Sequence, residues 1–175
     1  MAETEQKYTR KIGVGMTIAA WVAALALLAL FFEHRLERQH NPNQAVYSRL
    51  GDDGVREVVL KRNHYGHYVA SGTLNGEPVE FMLDTGASDV AIPSELADRL
   101  GLKRGAPVHY QTANGVITAY RTTIDSVTLG PLVIRNVAAS INPGLGNTDI
   151  LLGMSVLKHV EFSQRGDSLI LRPHD

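Results

Sequence analysis

The chain contains no cysteine. That excludes a disulfide framework, a thiolate metal site and a cysteine nucleophile, and it leaves the redox compartment open. Charge of one sign is not in excess either. Lys and Arg number 17 against 18 Asp and Glu, a formal net charge of −1. A nucleic-acid binder shows a basic surplus or a clustered basic stripe, so no nucleic-acid partner is expected. No acidic or basic block is long enough to form a charged disordered tail. A length of 175 residues allows one ordinary domain, or a small one with appendages.

Charge is missing altogether from Ile12 to Phe32, IGVGMTIAAWVAALALLALFF. At about 1.5 Å per helical residue these 21 residues match the roughly 30 Å hydrocarbon core of a bilayer. A buried core helix of this length would show a polar face. A cleaved signal peptide would have a shorter apolar core, and here the run continues past Ala24-Leu25-Ala26. The expectation is a retained transmembrane helix over 12–32, preceded by a tail over 1–11. Lys7, Arg10 and Lys11 precede the span, and Arg35, Arg38 and Arg49 follow it. Proximity and the N-terminal amine favour an inside N-terminus, with the rest of the chain across the membrane. In a bacterium that is an inner-membrane anchor with a periplasmic domain. Gly15, Ala19 and Ala23 recur every fourth residue, a spacing that lets two helices approach closely in lipid.

The stretch 33–57 is polar, with turn signals at Asn41-Pro42-Asn43 and Asp52-Asp53-Gly54, and reads as a juxtamembrane stalk. Residues 58–175 read as strands. His67–Leu74 and Glu77–Leu83 flank Asn75-Gly76, the strongest short hairpin signal. Pro78 belongs off a central ladder position. Ser94 to Gly101 has the form of a short helix with a Ser N-cap and a Gly after its end. Val108–Thr112 and Val116–Thr123 flank a second Asn-Gly, Asn114-Gly115. Gly130-Pro131 separates another pair, Ile150–Leu152 is a short apolar strand, and Ser168–Leu171 is the last. Many short strands with closely spaced turns predict an all-β barrel or sandwich.

One segment carries chemistry. Phe81-Met82-Leu83 leads directly into Asp84-Thr85-Gly86-Ala87-Ser88. A strand end delivers the carboxylate to a fixed place, Thr85 can hydrogen-bond beneath the turn, and Gly86 allows close backbone approach. The plain alternative is a β-turn in which Asp84 caps its own backbone. Other chemistries lack their patterns. Gly153-Met154-Ser155-Val156-Leu157 misses the last glycine of a nucleophile elbow. His64 and His67 have no H-E-x-x-H context. Gly144-Leu145-Gly146 lacks the third glycine and the preceding strand of a dinucleotide site.

FMLDTGAS, the hairpin tip Thr112-Ala113-Asn114-Gly115 and Asp149-Ile150-Leu151-Leu152-Gly153-Met154-Ser155 together resemble the retropepsin-like aspartic proteases, in particular single-domain, membrane-anchored bacterial ones. The resemblance runs from about His64 to Arg172. It implies an all-β, retropepsin-like acid-protease barrel with an internal pseudo-repeat, in which Phe81–Gly86 echoes Asp149–Gly153. It implies that Asp84 is catalytic and that Thr85, Gly86, Ala87 and Ser88 support the active-site turn. By the same resemblance Thr112, Ala113, Asn114 and Gly115 form a flap over a polypeptide substrate, and Leu151, Leu152 and Gly153 pass behind the turn. No cofactor and no metal are implied.

An aspartic protease needs two carboxylates about 3 Å apart that share one proton around a water. This chain has one Asp-Thr-Gly. The second Asp84 must therefore come from a second copy, in a homodimer whose two-fold axis passes between the carboxylates. A different class of function is a membrane-tethered peptide-binding or dimerisation module on the same fold, with little or no proteolysis.

Overall fold

A computed structural model describes residues 2–51, 54–112, 115–146 and 149–174. The chain divides into two compact units, Met1–Gln39 and His40–Asp175.

The first unit is helical. Helix α1 covers Ala2–His40. Between Gly15 and His40 it is long and apolar enough to cross a membrane. Trp21, Leu25, Leu28, Phe31 and Phe32 are all exposed, so no protein core accounts for their hydrophobicity. The helix runs beyond the apolar stretch and stops where Pro42 disfavours helical backbone at Asn41.

The second unit is mostly strand. Strands β1 (Tyr47–Leu50), β2 (Arg56–Lys61), β3 (Val69–Leu74), β4 (Glu77–Leu83) and β5 (Val90–Pro93) precede helix α2 (Ser94–Arg99). Then come β6 (Pro107–Thr112), β7 (Gly115–Leu129) and β8 (Leu132–Asn142), a 3-10 turn at Pro143–Leu145, and β9 (Ile150–Leu152). Helix α3 (Met154–Leu157), β10 (Val160–Arg165) and β11 (Ser168–Pro173) complete the chain. A seven-stranded sheet has the order β3-β4-β9-β5-β8-β7-β6, and a further pairing of β3 with β7 closes it on itself. A four-stranded sheet, β1-β2-β11-β10, lies alongside in the same core.

Local chemistry explains the turns. Asn75 (φ 52°) and Gly76 (φ 88°) both take the left-handed backbone that a two-residue hairpin demands, and Leu74 pairs with Glu77 across it. Pro78 sits in β4 where the far side is open, because β9 joins only from Phe81 onward. Gly101 (φ 66°) ends α2 as expected, with its N–H on the Asp98 carbonyl. Ser94 does not cap that helix. The helix opens on Ser94 itself, the capping position falls to Pro93, and the Ser94 hydroxyl is buried without a partner.

The boundary expected at residue 58 lies instead at His40. The stretch read as a stalk is shared between the end of α1 and the second unit, where β1 and β2 supply half of the four-stranded sheet. Asn41 and Asn43 are only 1% and 4% exposed. Asn43 donates to the carbonyls of Lys61 (2.9 Å) and Val69 (2.7 Å) and accepts from the Lys61 N–H at 2.7 Å. One side-chain amide thereby ties β2 to β3. Glu57, buried in β2, binds Arg49 Nε of β1 at 2.9 Å and Arg172 Nε of β11 at 3.2 Å.

Candidate active site

Asp84 stands just beyond the end of β4. Its strand is held on one side by antiparallel β3 and on the other by parallel β9, with Phe81, Met82 and Leu83 opposite Ile150, Leu151 and Leu152. Phe81, Ile150 and Leu152 are fully or almost fully buried, so both strands are anchored in the core beneath the turn. The Asp84 N–H donates to the Leu152 carbonyl at 3.2 Å, which extends the parallel ladder to the acidic residue itself. A parallel pair formed by residues so far apart in sequence fixes the carboxylate far better than a loop could.

The turn then closes on itself. The Gly86 N–H donates to Asp84 Oδ1 at 2.8 Å, and the Ala87 N–H donates to the Asp84 carbonyl at 3.2 Å. Asp84 does cap its own backbone, but through one carboxylate oxygen. A Cβ on Gly86 would lie 3.1 Å from that oxygen, closer than ordinary contact. Thr85, expected beneath the turn, is exposed on the single chain, as are Gly86 and Ser88. Ala87 is half-buried.

From behind, the turn is gripped by the segment after β9. The Ala87 carbonyl accepts from the Met154 N–H at 2.8 Å, and the Ser88 carbonyl from the Ser155 N–H at 3.1 Å. Ser155 Oγ accepts from the Val90 N–H at 3.2 Å. Gly153 permits this approach. A Cβ there would fall 2.2 Å from the Asp89 carbonyl oxygen and 2.6 Å from that of Ala87. Leu151, Leu152 and Gly153 are thus brought together with Asp84–Ser88.

The strands on either side of the second Asn-Gly pair as a hairpin. Strands β6 and β7 pair from Pro107↔Tyr120 to Thr112↔Gly115, and Gly115 has φ 108°. Thr112 Oγ1 donates to the Gly115 carbonyl at 2.8 Å across the tip. Ala113 and Asn114 lie outside the described residues.

Three residues not singled out in the sequence adjoin the turn. The Asp89 carboxylate accepts from the Tyr110 hydroxyl through Oδ2 and from Ser140 Oγ (2.9 Å) through Oδ1. Burial, then the bond to Asp89, holds the Tyr110 hydroxyl above its ordinary pKa of 10.0, so it remains a donor at neutral pH. Only the closeness of Asp89 to the Asp-Thr-Gly could have drawn attention to it, since its partners come from β6 and β8.

One group of side chains among the described residues has metal-ligand chemistry: His40, Glu80 and Asp149. Each of its members already has a hydrogen-bond partner. His40 Nε2 meets Asp149 Oδ2 at 2.8 Å, and Glu80 Oε1 accepts from Asn41 Nδ2 at 2.6 Å.

A closed β barrel with Asp-Thr-Gly on a turn clasped by an apolar-apolar-Gly strand defines an acid-protease fold. The family model described as gag-polyprotein putative aspartyl protease matches residues 70–159. A crystal structure of a retropepsin-like aspartic protease from Rickettsia conorii superposes with a TM-score of 0.56 at 36% identity, over 73% of this chain and 95% of that one. An uncharacterized protein in the cobV 5′ region of Sinorhizobium sp is 30% identical over 93% of this chain and 75% of its own. Uncharacterized protein RP867 of Rickettsia prowazekii (strain Madrid E) is 31% identical over 88% and 69%. The chain belongs to the retropepsin-like aspartyl protease family.

Proposed function

We propose that the protein is a membrane-anchored aspartic endopeptidase that works as a homodimer. The observation that carries this reading is the Asp84 turn: a carboxylate held by a parallel strand pair, with Thr85 and Gly86 exposed beside it. An exposed Thr-Gly next to a rigidly held acid is what a second copy would cover when its own Asp84 is brought to the two-fold axis.

In that dimer one Asp84 is ionised and the other protonated. The ionised carboxylate takes a proton from the water between them, and the oxygen attacks the scissile carbonyl carbon. The protonated partner donates to the carbonyl oxygen, giving a tetrahedral diol. Collapse breaks the C–N bond as a proton passes to the leaving nitrogen. The pair ends with one proton, as it began. The hairpin tipped by Thr112 to Gly115 is the flap over an extended peptide. Helix α1 anchors the chain through residues 12–32 in a bacterial inner membrane, with the catalytic unit in the periplasm. Anchoring confines the copies to one plane, raising their effective concentration, and the stripe of Gly15, Ala19 and Ala23 suits a close helix pair.

The test is cleavage of an unfolded general substrate by the full-length protein in micelles, beside Asp84→Asn, over a dilution series. Activity should vanish in the variant, and specific activity should fall on dilution. Equal cleavage by the two proteins would overturn the catalytic assignment, and concentration-independent activity the dimer. For topology, a reporter that works only outside the cytoplasm should be active when fused after Asp175. Activity there of a cytoplasm-only reporter would reverse the orientation.

A further inference from the structure

The hairpin of β6 and β7 is unusual in how little supports it. Strand β8 pairs with β7 only from Tyr120 to Leu129, whereas β6 pairs with β7 only from Gly115 to Tyr120. The two ladders meet at Tyr120, so residues 108–112 and 115–119 form a ribbon of two strands that pair only with each other. Such a ribbon is marginal in water when it is unsupported. Its base is fixed by backbone bonds between Gly105 or Ala106 and Arg121.

Two residues before the end of β6, the ribbon touches the body of the barrel through a side chain. Tyr110 donates its hydroxyl to Asp89. Asp89 is five positions beyond Asp84, and its own place is fixed twice. Its carboxylate accepts from Ser140, which is 1% exposed in β8, and its backbone lies against Gly153. A hydrogen bond to a carboxylate is stronger than one between neutral groups.

We infer that Tyr110 is a positioning residue: bonded to Asp89, it latches the hairpin to the turn that carries Asp84, and the hairpin opens by breaking this bond. The phenol is held protonated by burial and by the carboxylate, so at neutral pH it stays a donor to Asp89. Asp89 and Arg121 are the charged groups that act on it. The latch itself does not depend on proteolysis. What depends on the protease reading is its consequence for peptide entry. If the closed, latched hairpin is the ground state both free and with peptide bound, weakening the latch speeds peptide association and dissociation together and leaves Kd nearly unchanged.

The deciding experiment is amide hydrogen exchange on the full-length protein in micelles, comparing wild type with Tyr110→Phe. Exchange of the hairpin amides (residues 108–112 and 115–119) should accelerate roughly tenfold, the effect of losing one charge-assisted hydrogen bond. Amides of β4 and β9 should keep their wild-type rates. Asp89→Ala should reproduce the local acceleration, and Asp89→Asn, which retains an acceptor oxygen, should largely restore protection. Hairpin amides at wild-type rates in Tyr110→Phe or Asp89→Ala would overturn the latch. So would acceleration spread equally through β4 and β9, which would make Tyr110 a general prop. A statine-containing peptide, followed by stopped flow, supplies the second readout. Tyr110→Phe should raise its association and dissociation rates in proportion, and a change confined to dissociation would overturn the gating role. Failure of this peptide to bind the wild type would count against the protease reading, while the exchange data would still decide the latch.

Discussion

Gly153 and Asp89 approach so closely that a methyl group on the Gly153 α-carbon would sit 2.2 Å from the Asp89 carbonyl oxygen. Both partners are backbone, in segments pinned by further hydrogen bonds, so neither can yield cheaply. Gly153→Ala should push the Ala87–Asp89 segment away from α3 and cost about 3 kcal/mol or more of stability. Proteolysis should be lost even where the variant still folds. Denaturant melts and peptide hydrolysis on the same samples check this; a fully active, wild-type-stable variant would refute the packing argument.

The second unit should depend on residues 40–57. Asn43→Ala removes three hydrogen bonds and leaves the Lys61 N–H and the Lys61 and Val69 carbonyls without their partner. A loss of about 3 kcal/mol is expected from a buried site of this kind. A fragment starting at His40 should accordingly fold cooperatively, whereas one starting at Val58 should melt far lower or not fold at all. Circular dichroism melts of the two fragments distinguish these outcomes.

Activity should be greatest in the weakly acidic range. In the proposed dimer two carboxylates at the two-fold axis could not both be ionised, and cleavage would need one proton on the pair, so rate would fall on either side of a window. A hydroxyl after Asp-Thr-Gly would favour ionisation and pull the window down. Position 87 is an alanine, and its N–H is spent on the Asp84 carbonyl. An optimum at roughly pH 5–6.5 is expected, with the alkaline limb shifted downward in Ala87→Ser. Profiles of kcat/KM against pH for both proteins provide the check, and an optimum near pH 2–3 would contradict it.

Alkaline conditions should loosen the latch. The Tyr110 pKa is raised on folding, so the folded chain holds this proton more tightly than the unfolded one. Its contribution is complete below the unfolded value of 10.0 and fades as pH climbs from there through the folded value. The wild-type minus Tyr110→Phe difference in tyrosinate absorbance should therefore titrate above pH 10.0. A difference curve centred below that value would contradict the burial of the hydroxyl.

The local signals were readable where one residue dictates one backbone state. Asn75-Gly76 forced a hairpin, Asn114-Gly115 marked another, and the apolar triplets before Asp84 and Gly153 became the two strands that pair in parallel. Other features were hidden for physical reasons. Strand β5 is four buried residues, too short to show a period. Strands β1 and β2 follow a polar segment in which Asn43 is buried because its amide replaces backbone partners, a use that composition cannot distinguish from a solvated linker. The Asp89–Tyr110–Ser140 cluster joins β6 and β8 to the residue just before β5, segments far apart in sequence, and nothing near Asp89 announces its partners.

The clasp between β4 and β9 also sets an order in time. A growing chain reaches Asp84-Thr85-Gly86 long before Leu152 and Gly153 exist, and until they do the Asp84 amide lacks its carbonyl and the turn lacks the strand behind it. A ribosome-bound chain that stops short of Gly153 carries the acidic tripeptide without the means to aim it. The organised turn comes into being only once Leu152 and Gly153 have been made, and every shorter nascent polypeptide lacks it.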